Sequence, residues 1–381
     1  MELTQIATLL NNTLVPNYLG KEVTIAEDLS NVVELGTAIA DLDGSEVKNF
    51  AGDFIVGVAR NVMDTRKYNR ETYGLMIDAR EYGGVIQRVK AKLLNASDSP
   101  IWTLESGQDY FDGTYYGVET DVKIYSKDTA FQVKNSIPTE MYKQYFTSAD
   151  GVREFVAMIE STVDNTITLE LNTLAKTTLQ QLIATIDADR SISLLTMYND
   201  QAGLTGADAL TADDALFNAP FLRWAAEMII RLRDLTQDYN QKYNDGTVPT
   251  FTPASDLRVT LLSQFARAIE FNMEADTFHN DLVSIGEYNT INFWQNSSDE
   301  LLPTLGVTAE VVTQVGEAEP VTISNVVGLI FDRYAAGLTS RLDTKVTAQY
   351  IANGDYTTYF HHVANSRFID TRNTAIALKL V

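Results

Sequence analysis

The chain contains no cysteine. Disulfides, thiolate nucleophiles and cysteine zinc sites are therefore excluded, and stability has to come from buried area. Histidine is nearly as scarce, with three in 381 residues. Basic residues are also short: 29 Lys and Arg stand against 51 Asp and Glu, a formal net charge of −22. Sequence-independent nucleic-acid binding relies on Lys and Arg releasing counterions from phosphates, so this balance disfavours it. It equally disfavours anionic membrane surfaces, and it keeps a concentrated protein soluble. No apolar run reaches the roughly 18 residues of a membrane helix. The opening residues MELTQIATLLNNTLVPNYLG lack a basic n-region and a small-residue cleavage site, so neither a secretory signal nor a removed pro-segment is expected.

The usual signatures of catalysis are missing as well. There is no GxSxG elbow, no GxxxxGK[ST] loop and no GxGxxG turn. DLDG at 41–44 lacks the ligand spacing and closing Glu of a calcium loop and reads as a turn. No spacing singles out a catalytic pair among the carboxylates. Asn11, Asn95 and Asn296 fit glycosylation sequons, which carry little weight without a signal peptide. No catalytic residue, cofactor or metal is expected.

What is present is 45% hydrophobic residues, enough for a large core in one to three domains. Residues 1 to about 50 carry short apolar clusters (Ile6, Leu9, Leu10; Leu29, Val32, Val33, Leu35) between Asn, Gly and Pro. They read as an extended arm with one or two short helices whose apolar residues need a partner to bury against. VIQRVKAKLL at 85–94 and VETDVKIYS at 118–126 both alternate with period two, which predicts two strands. Paired antiparallel, a largely basic face would meet a largely acidic one. Residues 150–187 keep helical apolar spacing (Val152, Phe155, Val156, Ile159, Val163, then Leu171, Leu174, Leu182, Ile186), with Ser148 or Asp150 as cap. Such a helix spans roughly 55 Å at 1.5 Å per residue. A second helix starts near Pro220, followed by a strand at RVTLL, a helix at SQFARAIEFNM, short strands near 282–294, 308–315 and 321–331, and closing strands at about 356–363 and 374–380. The class is α+β.

Two features invite a functional reading. His361 and His362 stand side by side, but neighbouring strand residues face opposite ways, so Tyr359 and His361 share one face and Phe360 and His362 the other. Two adjacent strand histidines do not converge on one metal, and no HExxH surrounds them. The stretch reads as ordinary strand. The connection NASDSPIWTLESGQDYFDGTYYG at 95–117 is too long for a compact hairpin. From Leu93 to Val122 there is no Lys or Arg, whereas Asp98, Glu105, Asp109, Asp112, Glu119 and Asp121 are acidic and Trp102, Tyr110, Phe111, Tyr115 and Tyr116 aromatic. An extended aromatic arm points to a protein interface, the alternative being a hairpin folded back on its own domain. The complementary charge lies at Arg60, Arg66, Lys67, Arg70 and Arg80. The acidic tip of one subunit is expected to dock near Arg66, Lys67 and Arg70 of a neighbour.

The segment RVTLLSQFARAIEFNMEADTFHNDLVSIGEYN, and then VVGLIFDRYAAGLTSRLDTKVTAQYIANGDYTTYFHHVANSRF, resembles the C-terminal half of major capsid proteins of tailed bacteriophages with the HK97-type fold. FNMEADTF (271–278), GLIFDRYA (328–335) and NGDYTTYFHH (353–362) carry the likeness, over roughly the last 120 residues. The resemblance implies an N-terminal arm (1–75), an extended E-loop hairpin (76–140), a peripheral domain with a long spine helix (141–215, returning at 325–381) and an axial domain (216–324). It implies a virion capsid protein that self-assembles as hexamers and pentamers into an icosahedral shell around phage DNA. A separate scaffolding protein and a portal at one vertex are the expected partners, with assembly in the host cytoplasm and no membrane. Some relatives crosslink through an E-loop lysine; the tip here has none, so that chemistry is not expected. An encapsulin-like compartment is the alternative on the same fold, and a cytosolic hydrolase the alternative outside it.

Overall fold

The computed structural model describes residues 3–11, 24–30, 73–80, 86–94, 96–125, 128–145, 148–245, 248–274, 286–295, 303–304, 309–311, 321–323, 325–341 and 345–381. Sixteen strands and seven α-helices are assigned among them. The chain opens with helix α1 (Leu3–Leu9) and continues through β1 (Met76–Arg80), β2 (Ile86–Ala91), β3 (Thr120–Tyr125) and β4 (Asp128–Pro138). Helices α2 (Thr139–Tyr145) and α3 (Ala149–Ala184) come next, then β5 (Ser191–Ser193), α4 (Leu194–Ala202), α5 (Ala212–Ala215) and α6 (Ala219–Gln237). After β6 (Leu257–Leu262), α7 (Ser263–Glu274) and β7 (Asn289–Ile291) lie four short strands, β8 (Trp294–Gln295), β9 (Pro303–Thr304), β10 (Ala309–Val311) and β11 (Val321–Ile323). The chain closes with β12 (Val326–Asp332), β13 (Ala336–Arg341), β14 (Lys345–Ile351), β15 (Tyr356–Ile369) and β16 (Ala375–Lys379).

Helix α3 organises the molecule. Ser148 caps it, its hydroxyl accepting from the Gly151 amide at 3.1 Å, and its 36 residues run about 54 Å. Its first half buries Val152, Phe155, Val156, Ile159, Val163, Ile167 and Leu171 in one apolar cluster. Its second half buries Ala175, Leu179, Leu182 and Ile183 in another, and Leu174 packs against both. The helix therefore ties two cores together. The expected N-terminal arm folds back onto the first of them: Ile6, Ala7, Leu10, Ile25 and Leu29 are buried there. The Asn11 side chain holds the two pieces together by donating to the Ile25 carbonyl and accepting from its amide, both at 2.7 Å.

Each core rests mainly on one sheet, although Ala336 and Leu338 of β13 in the first sheet join the second core. Against the first lies a sheet centred on β15, which pairs along one edge with β4 and along the other with β14 and β13. β1 joins that sheet parallel to β13. The second sheet has the order β5-β16-β12-β6-β7. Its central strand, β12, is buried over its whole length, as its run VVGLIFD implies. The closing stretch 325–381 is thus shared between the sheets, with β12 and β16 in one and β13, β14 and β15 in the other.

The histidine pair splits as strand alternation requires. His361 is buried on the face of Tyr359 and Val363, while His362 lies half-buried with Nε2 3.1 Å from Thr347 Oγ1. Neither ring nitrogen of His361 has a hydrogen-bond partner among the described residues. No group of three or more His, Asp or Glu residues is arranged to hold a metal ion among the described residues.

Candidate assembly interface

Strands β2 and β3 pair antiparallel, with Lys90 opposite Asp121, Val89 opposite Val122 and Arg88 opposite Lys123. The charge complementarity expected across the strands is partial. Lys90 faces Asp121, and beyond the strand end Lys92 reaches Glu119 at 3.2 Å, but Arg88 meets a like charge. Arg88 instead lays its guanidinium over Phe368, 4.5 Å from the ring centre, and over Tyr334 at 5.0 Å.

That contact reveals an inversion. In an ordinary two-faced sheet the apolar side turns inward. Here the charged side, Arg88, Lys90, Asp121 and Lys123, turns toward the body and is half-buried, whereas Val89, Val122 and Ile124 face outward and are exposed. Alternation had separated these faces in the sequence without saying which one was covered.

The charged face is gripped by the turn between β15 and β16. Asp370, whose side chain is fully buried, binds Arg372 through Nε and Nη2, both at 2.8 Å. Arg372 then reaches across to the hairpin. It lies 3.0 Å from the Asp121 carboxylate and donates to the carbonyls of Asp121 (3.2 Å) and Arg88 (3.5 Å). Lys90 returns the contact by donating to the Arg372 carbonyl at 2.6 Å. Burial raises the Asp370 carboxyl, but the hydrogen bonds and charge of Arg372 outweigh it and leave the group below its ordinary range. The hydrogen bonds to Asp370 hold Arg372 firmly protonated. Burial lowers Lys90, opposed by the charges of Asp370 and Asp332. This joint escaped the sequence reading, since nothing local links residue 90 or 121 with residue 372.

Beyond the strands, every described residue from 92 to 119 is exposed, so the tip does not fold back on its own domain. Trp102 is 92% exposed, Tyr115 92% and Phe111 87%, with Ile101, Leu104, Tyr116 and Val118 also open to solvent. The tip nonetheless has internal structure. Ser99 caps a short 3-10 turn, Pro100–Trp102. The Tyr110 hydroxyl accepts from the Glu105 amide at 2.8 Å and is 3.4 Å from the Thr103 carbonyl. Asp109 accepts from the Phe111 amide and Asp112 from the Thr114 amide, each at 2.9 Å, and the Tyr116 hydroxyl donates to Asp112. Hydrogen bonds from Thr114 and Tyr116 lower the Asp112 carboxyl, and the same carboxylate raises the Tyr116 phenol. Asp and Asn turns of this type are local and need no tertiary support. Trp102, Asp109, Tyr110, Phe111, Asp112, Tyr115 and Tyr116, the candidates for an interface, all lie exposed in this tip, the knob of the hairpin. Arg66, Lys67 and Arg70 lie outside the described residues.

The arrangement offers shape and apolar area for contact with another protein. The sequence profile of the Phi29-like phage major capsid proteins matches residues 10–378. No curated protein sequence matches the chain. Among solved structures, the capsid of Staphylococcus phage Andhra is similar, with a TM-score of 0.53 at 12% identity, over 84% of this chain and 86% of that one. A structure of native bacteriophage P68, described for its head fiber and inner core protein gp22, also scores 0.53 at 12% identity, over 82% of this chain and 85% of that one. At such identities the likeness is one of fold, and the fold is the HK97-like fold of phage capsids. Among the described residues no helix is long and apolar enough to cross a membrane. A profile spanning nearly the whole chain decides between the shell readings in favour of a structural phage shell, and the chain belongs to the Phi29-like phage major capsid protein family.

Proposed function

We propose that the hairpin 86–125 is the arm by which one copy of the chain holds the next in the shell, the role of an E-loop. The observation that carries this reading is the inverted hairpin, with its apolar face and aromatic knob exposed and its charged face turned inward. Apolar patches larger than a few hundred Å² mark contact sites, and buried Trp and Tyr dominate binding energy where they are anchored. The occupant is a second copy of this chain, since a shell subunit's commonest neighbour is itself. The acidic knob, with Asp109 and Asp112 beside Trp102, Tyr110, Phe111, Tyr115 and Tyr116, docks beside Arg66, Lys67 and Arg70 of the neighbour.

On this reading the subunits form hexamers and pentamers that close an icosahedral shell around phage DNA. A net charge of −22 suits that task, because an acidic lining does not adhere to tightly packed DNA. A separate scaffolding protein guides assembly in the host bacterial cytoplasm, and a portal occupies one vertex. The test is the triple reversal Arg66→Glu, Lys67→Glu and Arg70→Glu, followed by electron microscopy of the purified protein. Broken or absent shells are expected, and normal shells would show that the knob docks elsewhere.

A further inference from the structure

We infer that Arg372 is a positioning residue for assembly: with Asp370 it fixes the direction in which the hairpin leaves the body. This rests on the reading of the hairpin as the intersubunit arm. The turn it occupies is a three-way joint. It connects β15 of the first sheet to β16 of the second, and on its outer side it holds the hairpin. The turn is fixed on the body side by several bonds. The Asp245 amide donates to the Thr371 carbonyl at 2.9 Å, the Asn373 side chain donates to the Tyr334 carbonyl at 3.0 Å, and the Ala375 amide donates to the Tyr243 carbonyl at 3.0 Å. Arg372 is therefore mounted on a rigid base.

The grip is directional. Arg372 engages Asp121 on β3 and the Arg88 carbonyl on β2, and Lys90 engages the turn's own backbone, so both strands are held at one level. Arg88 over Phe368, and Tyr125 with its ring 5.7 Å from that of Phe368, form the second row of the same contact. A two-stranded ribbon gripped at two rows on one face cannot pivot freely. A buried ion pair of this kind contributes little net stability compared with apolar packing, but it selects one geometry. The inverted hairpin needs that selection, because its apolar face would otherwise be free to close onto its own subunit.

The absence of cysteine makes the test direct. Cysteines introduced at Ser106 in the knob and Ser255 on the body carry spin labels, and the distance distribution is measured by pulsed EPR on the unassembled full-length chain. Two sets of changes are compared: Lys90→Met with Asp121→Asn on the hairpin, and Asp370→Asn with Arg372→Met on the turn. The second set removes both partners, so no buried charge is left uncompensated. A single narrow distribution is expected for the parent and a clearly broadened one for each set, with the melting temperature of the body retained and closed shells lost. A distribution as narrow in either set as in the parent, or as broad in the parent as in the variants, overturns the inference. Should the turn variant fail to fold, the hairpin set decides alone, since it leaves Asp370 and Arg372 paired. Failure of the docking reading looks different: the knob would stay at its fixed distance, and shells would form without its aromatics.

Discussion

Replacing Trp102 and Phe111 together by alanine tests whether the knob is an anchor, and the structure sets the size of the effect. In the isolated subunit the two rings are 92% and 87% exposed, so their removal deletes almost no intramolecular packing. Exposed substitutions of this type change stability by no more than about 0.5 kcal/mol, and the melting temperature of the unassembled chain is expected to hold. On the proposed docking, the rings are covered in an assembled shell. An aromatic side chain buries about 150–250 Å², worth about 4–6 kcal/mol at about 25 cal/mol per Å². Ordering of the side chains and the methyl left behind reduce this to the roughly 2–4 kcal/mol typical of an interfacial anchor. That is about 30- to 1,000-fold weaker docking for each anchoring ring removed. The threshold concentration for assembly, followed by light scattering and sedimentation with negative-stain images of the products, is expected to rise by at least the lower figure. Shells forming at the parent's threshold would refute the anchor. A large fall in melting temperature of the free chain would refute the premise that the knob stands clear of its own subunit.

Other perturbations probe the body and its charges. Burial, with a smaller contribution from the charge of His362, holds His361 below its ordinary pKa of 6.5. Above that pH both folded and unfolded states carry it neutral. As pH falls below it the unfolded chain takes the proton first, so stability drops toward pH 5, and a His361→Phe variant is expected to lose that part of the urea-midpoint shift. Gly328 lies mid-strand in β12, where a Cβ would approach Leu261 Cδ2 to 2.7 Å and Leu378 Cδ1 to 3.1 Å. Gly328→Ala is expected to cost about 1–3 kcal/mol by urea unfolding. Leu179→Ala, at a fully buried position in α3, is expected to cost about 2–5 kcal/mol, whereas Leu169→Ala, on the half-exposed side of the same helix, should stay within about 0.5 kcal/mol.

Elements whose signal is local were legible in the sequence. The expected helix at 150–187 forms at 149–184 with Ser148, one of the two expected caps, because its apolar spacing and cap are contained within a few turns. The strand and helix at 257–274 and the closing strands were legible for the same reason. The knob was legible through what it lacks: from residue 93 to 122 there is no basic residue and too little patterning for a compact connection. Period-two alternation sorts side chains into two faces but is symmetric between them, so Val89 and Val122 could not be told from a core face by pattern alone. What breaks the symmetry is Arg372, 251 to 284 residues further along the chain than the strand residues it faces. Nor could the sequence show that Ile6, Leu10, Ile25 and Leu29 bury against the chain's own long helix, since an apolar cluster states a need for cover and not its source. The same limit explains the hairpin. Its exposed valines, isoleucine and aromatics declare a missing surface as plainly as any buried core declares a present one, and on the proposed docking that surface belongs to the next copy.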